Sequence, residues 1–391
     1  MSLTLSEAPS DHVRETQGRS HVIAEDGTQS PTIEPAFPGA ATAVPVVMCF
    51  NRRYMPGGAA LIASIAEHAS PNRLYDLIVF ADDLASEDRD MLRNVCDKPN
   101  ISLRFFDVSR CFDGINFITH FHFRKENFYR LKIPDLMRDF DKVVYIDADT
   151  ITNRDLADLY DIDVDGYYIA AVRDFAMIAT QNKKMLDIVG KKIYYETYVK
   201  DYLGLIGISN YFNSGLVLFN INKINGSQIS ERLIALIGTK LFAYVDQDIL
   251  NIVFENKVKL IDYSWNMVID CERLYHLSEP DLYARYLDAG AAPHVVHYIG
   301  GNKPWNDPTV HMAEYYWRYA AKTPLYEKLL REIRERRENS GASSQPERKM
   351  HPGLRSIRSS AQIIGYMLFP IGKRRRKKRK AILKFARERC F

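Results

Sequence analysis

Cysteine is scarce in this 391-residue chain: Cys49, Cys96, Cys111, Cys271 and Cys390 only. The number is odd and no two have CxxC spacing. That excludes a disulfide framework and a zinc ribbon as the organising device, and points to reduced thiols in a cytosolic compartment. Long apolar runs are missing too. The longest candidate near the C-terminus, residues 361–371, is broken by Gln362, Gly365 and Pro370 and falls short of the roughly 20 residues that cross a bilayer. No basic segment followed by an apolar core opens the sequence, so no secretory signal is expected. There is no internal repeat. Net charge is slight, +4, but it averages two unlike parts. Residues 346–391 hold 15 Lys/Arg against 2 Asp/Glu, so an acidic body of net −9 ends in a tail of net +13. Hydrophobic residues at 46% and charged residues at 26% describe a soluble globular body rather than a disordered or collagen-like chain.

Residues 1–43 are polar, rich in Ser, Thr, Pro, Gly and Glu, and lack apolar periodicity; they read as a disordered leader. Order begins at Val44–Phe50, an apolar run suited to a buried parallel strand. Helical spacing follows over Pro56–Ser70, then a strand at Asp76–Phe80, a helix at Ser86–Val95, a strand at Ile101–Phe106, a helix over Asn127–Phe140 and a strand at Val143–Ile146. Beyond Asp149, strands are expected at Tyr168–Val172, Gly215–Phe219, Lys257–Ile261 and Val295–Tyr298, with helices at Gln228–Leu241, Gln247–Phe254 and 311–338. Alternating strands and helices predict an α/β domain over 44–338 with a mostly parallel sheet, the pattern turning mixed beyond Asp149 into a mixed central sheet. Residues 339–391 read as a linker and a basic amphipathic tail.

Val143–Ile146 runs straight into Asp147-Ala-Asp149. Ligands in open α/β sheets bind beyond the carboxyl ends of strands, and acids at i and i+2 lie on one side of a regular strand. Two carboxylates there suit a hard divalent cation such as Mg²⁺ or Mn²⁺, able to hold a diphosphate. A helix N-cap pair is the plainer alternative. A dehalogenase-type phosphatase also places Asp-x-Asp after a strand, but near the start of its domain and followed by Thr or Val where Ile151 stands here; about a hundred ordered residues precede this motif. A second constellation, His297-Tyr-Ile-Gly300-Gly301-Asn-Lys303-Pro-Trp305, supplies an imidazole ligand, glycines that let backbone approach phosphate, and a point cation.

These residues resemble the retaining glycosyltransferases of family 8, which include bacterial lipopolysaccharide galactosyl- and glucosyltransferases and glycogenin. The likeness spans about Val46 to Trp317, with several motifs in order. It implies the single-domain, Rossmann-like GT-A fold. It implies a metal site of Asp147, Asp149 and His297, and a diphosphate turn at Gly300 and Lys303. Arg130, in Phe128-Tyr-Arg130-Leu-Lys, is implied to contact donor sugar and diphosphate, and Asn213, in Tyr211-Phe-Asn213-Ser-Gly215, to lie near the donor sugar. Asp246 and Gln247 are implied at the reacting centre and Asp174 facing the acceptor. The first-strand loop departs from the family's acidic pattern. It reads Cys49-Phe-Asn51-Arg52-Arg53-Tyr54, so Asn51 is left to meet the base through its amide, and Arg52 or Arg53 either adds charge near phosphate or is solvated.

The activity so implied is metal-dependent hexose transfer from a UDP-sugar, galactose or glucose, to a saccharide or glycolipid such as lipopolysaccharide core. Gln247 falls below the anomeric carbon in the family comparison, and an amide is a poor nucleophile, which favours front-face attack. Capping is the alternative role for Asp246 and for Asp248. Residues 373–380 are eight consecutive cations flanked by Ile363–Phe369 and Ala381–Phe385. That pattern suits an anionic membrane surface better than nucleic acid, so a peripheral position on the cytoplasmic face is expected, through residues 361–391. A catalytically silent sugar-nucleotide binder and a nucleic-acid-binding protein are the alternatives. His120 and His122 read as a candidate metal pair or as ordinary histidines, and the tyrosines of 193–198 as an acceptor-stacking loop or as core.

Overall fold

A computed structural model of the chain describes residues 22–118, 125–181, 183–188, 191–274 and 277–341. Its strands in chain order are β1 (Val22–Ala24), β2 (Gln29–Ser30), β3 (Ala43–Cys49), β4 (Leu74–Phe80), β5 (Ile101–Asp107), β6 (Lys142–Ile146) and β7 (Thr150–Thr152), then β8 (Ile169–Arg173), β9 (Met185–Ile188), β10 (Lys191–Tyr194), β11 (Phe212–Asn220), β12 (Val258–Ile261), β13 (Met267–Val268) and β14 (Val295–His297). Nine of them form one sheet in the order β12-β8-β11-β6-β3-β4-β5-β1-β2. The run β6-β3-β4-β5 is parallel: β3 pairs with β4, β4 with β5 and β3 with β6. β11 runs antiparallel between β6 and β8, which makes the sheet mixed as the sequence predicts.

β3 and β4 are apolar on both faces because both faces are covered. Val44, Val46, Met48, Leu77 and Val79 meet the helix Met55–His68 through Leu61, Ile62 and Ile65. Val47, Ile78, Phe80 and Tyr145 point the other way, toward Phe128, Tyr129 and Ile249. The helix Met55–His68 comes very close to the strand ends. A Cβ on Gly57 would stand 2.5 Å from the Ala148 carbonyl oxygen and 2.8 Å from the Trp305 ring. Glycine there allows the helix to rest directly on the Asp147–Asp149 turn.

Three expectations need correction. The disordered leader does not extend to residue 43. β1 pairs antiparallel with β5, Val22 and Ile33 are buried, Ile33 N–H donates to the Leu136 carbonyl, and Ala36 N–H donates to Asp76. Strands of three and two residues, β1 and the edge strand β2, are too short to leave a periodic trace; residues 1–21 lie outside the described residues. The helix over 127–140 is instead 3₁₀ turns at Lys125–Lys132 and one α-turn at Ile133–Leu136, since Pro134 lacks the N–H that a longer helix needs. The C-terminal helical segment is two helices, Ala313–Ala320 and Tyr326–Gly341, the second running past residue 338. Strands β7, β13 and the helix Pro280–Ala291 had no clear sequence signal. Among the described residues, no helix is long and apolar enough to cross a membrane.

The Gly57 contact makes a stability prediction. Gly57→Ala forces the Ala148 carbonyl and the Trp305 ring apart and costs about 1–3 kcal/mol of overpacking. A lowered melting temperature is the expected result; an unchanged melt would show that the turn yields freely.

Candidate functional site

β6 ends at Ile146, and Asp147 N–H donates to the Gly215 carbonyl on β11 at 2.8 Å. The chain turns through Ala148 and Asp149 into β7, a strand rather than a helix, so the two acids are not an N-cap pair. β7 pairs antiparallel with β14, placing His297 opposite Thr150. That register brings the imidazole to the acids: its Nε2 lies 3.3 Å from Asp149 Oδ1 and 3.7 Å from Asp147 Oδ2. On its other edge, Nδ1 sits 2.8 Å from the Asn266 amide oxygen. That oxygen can only accept, so Nδ1 carries a proton and Nε2 is the ring nitrogen turned toward the carboxylates. Asn266 is itself fixed, its amide N–H donating to Asn213 Oδ1 at 2.8 Å.

This donor set fits a divalent cation. Ligand atoms of Asp147, Asp149 and His297 all lie within 4.8 Å of one another. A cation about 2.1 Å from each ligand sets neighbouring ligand atoms about 3 Å apart, close to the spacing present. Two carboxylates and a neutral imidazole suit Mn²⁺ or Mg²⁺ rather than a thiophilic ion. Gly215 is the cradle for the ring, for a Cβ there would stand 2.2 Å from His297 Cε1.

Two buried cations share these carboxylates. Arg130 Nη2 lies 2.8 Å from Asp147 Oδ1 and Nε lies 3.1 Å from Asp246 Oδ2, while Nη1 donates to the Ser214 carbonyl and hydroxyl. Its guanidinium also covers the Tyr145 ring at 4.5 Å. Burial opposes the charge of Arg130, but Asp147 and Asp246 hold its pKa well above the ordinary value. Lys303 donates to Asp149 Oδ2 and, at 2.6 Å, to the Tyr298 carbonyl. Burial pushes the Asp149 carboxyl up, yet Lys303 and then His297 outweigh it and hold Asp149 well below the usual range. Asp246 goes the other way: burial, with Asp147 adding and Arg130 opposing, pushes it up to about 7.

Beside the cations lies an amide cluster. Asp174 Oδ1 caps the helix Phe175–Thr180 by accepting from Met177 N–H. Its Oδ2 accepts from Gln247 Nε2 at 3.1 Å and from Asn213 Nδ2 at 3.2 Å. Gln247 Oε1 accepts from Ser214 N–H at 3.1 Å. The structure therefore brings together Asp147, Asp149, His297, Lys303, Arg130, Asp174, Asn213, Asp246 and Gln247. Gly300, at φ +77°, makes the turn between His297 and Lys303.

Asn51 stands apart from that cluster. Its amide oxygen accepts from Tyr54 N–H, which spends it on a cap, and its Nδ2 donates to Glu126 at 3.1 Å. Arg52 is largely exposed and pairs with Asp88 at 3.2 Å, so it faces the helix Ser86–Val95. Of the two acids flanking Gln247, the capping role falls to Asp248, which accepts from Tyr244 N–H and from the Tyr198 and Tyr211 hydroxyls. Tyr198 is thus core, whereas Tyr194 is exposed. Trp305 packs under the turn, edge-on to Tyr54. His120 and His122 lie outside the described residues. Asn266 stands in no motif, and Ser214 and Tyr145 lie inside quoted segments without a role; all three were missed because each is defined by what it touches.

Comparison with known proteins is consistent with this geometry. The family described as glycosyl transferase family 8 matches residues 45–309. A putative glycosyltransferase of Haemophilus influenzae is 29% identical over 272 residues, covering 68% of this chain and 74% of its own length. The lipopolysaccharide 1,2-glucosyltransferase of Escherichia coli is 23% identical over 274 residues, covering 68% and 75%. Among solved structures, the apo WbbM bifunctional glycosyltransferase superimposes with a TM-score of 0.71 at 30% identity, covering 77% of this chain and 53% of that longer one.

Two outcomes are expected. Asn266→Ala frees the imidazole to rotate and should weaken Mn²⁺ binding about 10–100-fold by calorimetry; undiminished affinity would remove Asn266 from the site's support. Burial, against three hydrogen-bond donors, pushes Asp248 up to about 6 from an ordinary 3.8. The folded protein therefore holds a proton that the unfolded chain releases, and this residue's contribution falls as pH rises between about 4 and 6. The stability advantage of wild type over Asp248→Asn should shrink by on the order of 3 kcal/mol between pH 4 and 7 in urea titrations. A gap independent of pH would mean that the carboxylate is ionised throughout.

Proposed function

The chain belongs to glycosyl transferase family 8 and is a glycosyltransferase on the GT-A fold, and from that premise we propose that it transfers a hexose, galactose or glucose, from a UDP-sugar to a saccharide or glycolipid acceptor such as lipopolysaccharide core, with retention of configuration. The observation that carries this reading is the convergence of Asp147, Asp149 and His297 with Arg130 and Lys303 on the same carboxylates. The names of the relatives support a saccharide acceptor and a hexose donor, the E. coli enzyme being a glucosyltransferase.

Asp147, Asp149 and His297 would hold Mn²⁺ or Mg²⁺, which when bound would supply Lewis acidity to the diphosphate leaving group. The chain's own residues do the rest. Were the carboxylates taken up as ligands, Arg130 and Lys303, which now pair with them, would have donors available to phosphate oxygens. Both are buried, so their charge acts with little water between them and the leaving group. Gln247 is locked by Asp174 at one end of its amide and by Ser214 N–H at the other. So held, it presents no nucleophile, and we favour front-face attack in which the acceptor hydroxyl passes its proton to the departing phosphate oxygen. Asp246, hydrogen-bonded by Ser214, is positioned to grip a sugar hydroxyl. Asn213 and Gly300 shape the donor pocket. The completeness of this set favours an enzyme over a silent binder.

The tail, residues 361–391, lies outside the described residues. Its eight consecutive cations between apolar flanks support attachment to an anionic membrane, on the cytoplasmic face, where a glycolipid acceptor would be met.

A panel of UDP-sugars scored for hydrolysis with and without Mn²⁺ tests the donor. One or more should be turned over only with the metal, and Asp149→Ala should lower that turnover at least about 100-fold. Full Mn²⁺-dependent turnover in Asp149→Ala would overturn the metal assignment. For the tail, a chain truncated after residue 341 should lose cosedimentation with phosphatidylserine vesicles; equal cosedimentation refutes the anchor.

A further inference from the structure

Five large apolar side chains stand exposed among the described residues: Tyr167, Met185, Tyr194, Ile206 and Ile299. Three of them, Met185, Tyr194 and Ile206, fall in the single stretch 181–206, and Ile206 is 74% exposed. The stretch contains the hairpin of β9 and β10. Its register sets Leu186 opposite Ile193 and Met185 opposite Tyr194. Neighbouring residues of a strand point to opposite faces. Leu186 and Ile193 pack on the core, so Met185 and Tyr194 pair on the outer face, 48% and 43% exposed. An antiparallel hairpin with one wet face normally alternates apolar inside with polar outside. This one is apolar on both faces at its base. Glu196 N–H donates to the Gln181 carbonyl at 3.1 Å and closes that base. Ile206 lines a cavity of about 350 Å³ with these same two residues. The three exposed side chains therefore belong to one corner of the molecule.

The charge of this corner is opposite to that of the body. Residues 181–206 carry five lysines against three acids, a net of +2, within a body of net −9. Lys183 donates to the Leu277 carbonyl and Lys200 pairs with Glu196 at 2.8 Å. Lys184 and Lys192 stand exposed on the hairpin itself. The corner also flanks the reacting centre. Asp174 caps the six-residue helix Phe175–Thr180, about 9 Å long, and the hairpin follows that helix. From the hairpin's other end the Tyr195 hydroxyl meets the Tyr244 hydroxyl at 2.9 Å, two residues before Asp246.

We propose that this corner is a membrane-contact face: Met185, Tyr194 and Ile206 enter the interface of an anionic bilayer, and Lys184 and Lys192 meet its headgroups. The inference deepens the glycolipid-acceptor reading above and rests on it. Tyrosine suits that boundary because its ring is apolar and its hydroxyl is wet, and lysine stems cross apolar surface to reach headgroups. A body of net negative charge is repelled by an anionic surface except where its charge is reversed. Residues 342–372 lie between the last described helix and the eight-cation block. A tether attached that far from the body does not choose which side of it meets lipid. The corner makes that choice and turns the Asp174 side of the site toward a lipid-borne acceptor. The tail supplies most of the affinity, and the corner supplies the orientation.

Cosedimentation of the full chain with phosphatidylserine/phosphatidylcholine vesicles tests this. Met185→Ser with Tyr194→Ser should weaken binding about tenfold, the loss expected when two part-exposed apolar side chains no longer leave water. Lys184→Gln with Lys192→Gln should weaken it about tenfold as well. Mn²⁺-dependent UDP-sugar hydrolysis and melting temperature should match wild type in both pairs. That hydrolysis needs no vesicle, so a failure of the donor reading shows there and not in the sedimentation. Tyr194→Trp puts an indole on the face, whereas Trp265, Trp305 and Trp317 are buried. Its emission should be quenched by brominated lipid well beyond the wild-type signal. Both pairs binding as wild type does, or a vesicle-bound Tyr194→Trp protein without added quenching, overturns the face and leaves the tail anchor standing. A wild-type chain that does not sediment with these vesicles overturns anchor and face together. A wild-type dimer in sedimentation velocity that Met185→Ser with Tyr194→Ser splits makes the corner a contact between copies, which overturns the lipid assignment.

Discussion

Three carboxylates meet at the head of the central sheet, and most of the surrounding structure exists to keep them there. Asp147, Asp149 and Asp246 would repel one another in a space shielded from water. Arg130 lies between Asp147 and Asp246, and Lys303 lies on Asp149. The arrangement is an ion network rather than isolated pairs, in which removing one member leaves a buried charge unanswered. Its charge is close to balanced without a cation, and the same cations are the ones that can turn to an anionic ligand. Stability and function thus draw on the same side chains.

The network requires backbone to come closer than side chains normally permit. Gly57 lets a helix rest on the carbonyl between the two acids, and Gly215 leaves room for the imidazole. The small sheet of β13, β14 and β7 carries His297 to the acids, and Asn266 beside it sets the ring's tautomer. A hydrogen-bonded chain from Asn266 through Asn213 to the Asp174 carboxylate and Gln247 then links the Asp-Asp-His cluster to the amide cluster beside it. Burial makes each of these hydrogen bonds count, because no water can replace one that is lost.

Acids that look alike in the sequence divide their work by surroundings. Asp246 and Asp248 are two residues apart on one helix and both are buried. Asp246 meets Arg130 and the Ser214 hydroxyl and belongs to the site. Asp248 meets two tyrosine hydroxyls and a backbone N–H and belongs to the core. A similar division separates Asp147, ion-paired in the site, from Asp76, whose carboxylate ties Arg104 and the incoming N-terminal segment to the sheet.

The sequence by itself determined the α/β alternation, the strand that ends in Asp147-Ala-Asp149, and the glycine-flanked His297 and Lys303. Each is local, and apolar runs and short motifs record local demands directly. It also carried the charge asymmetry, since charge is additive and needs no coordinates. Tertiary structure alone decided the partners. No spacing in the sequence joins Arg130 to Asp246, Asn266 to His297 or Glu126 to Asn51, because those pairs are made by strand order and register across long separations. It decided as well that residues 22–43 join the fold and that Asn51 spends its amide oxygen on a turn. Edge pairing and capping of this kind use backbone groups that every residue carries, so composition holds no trace of them.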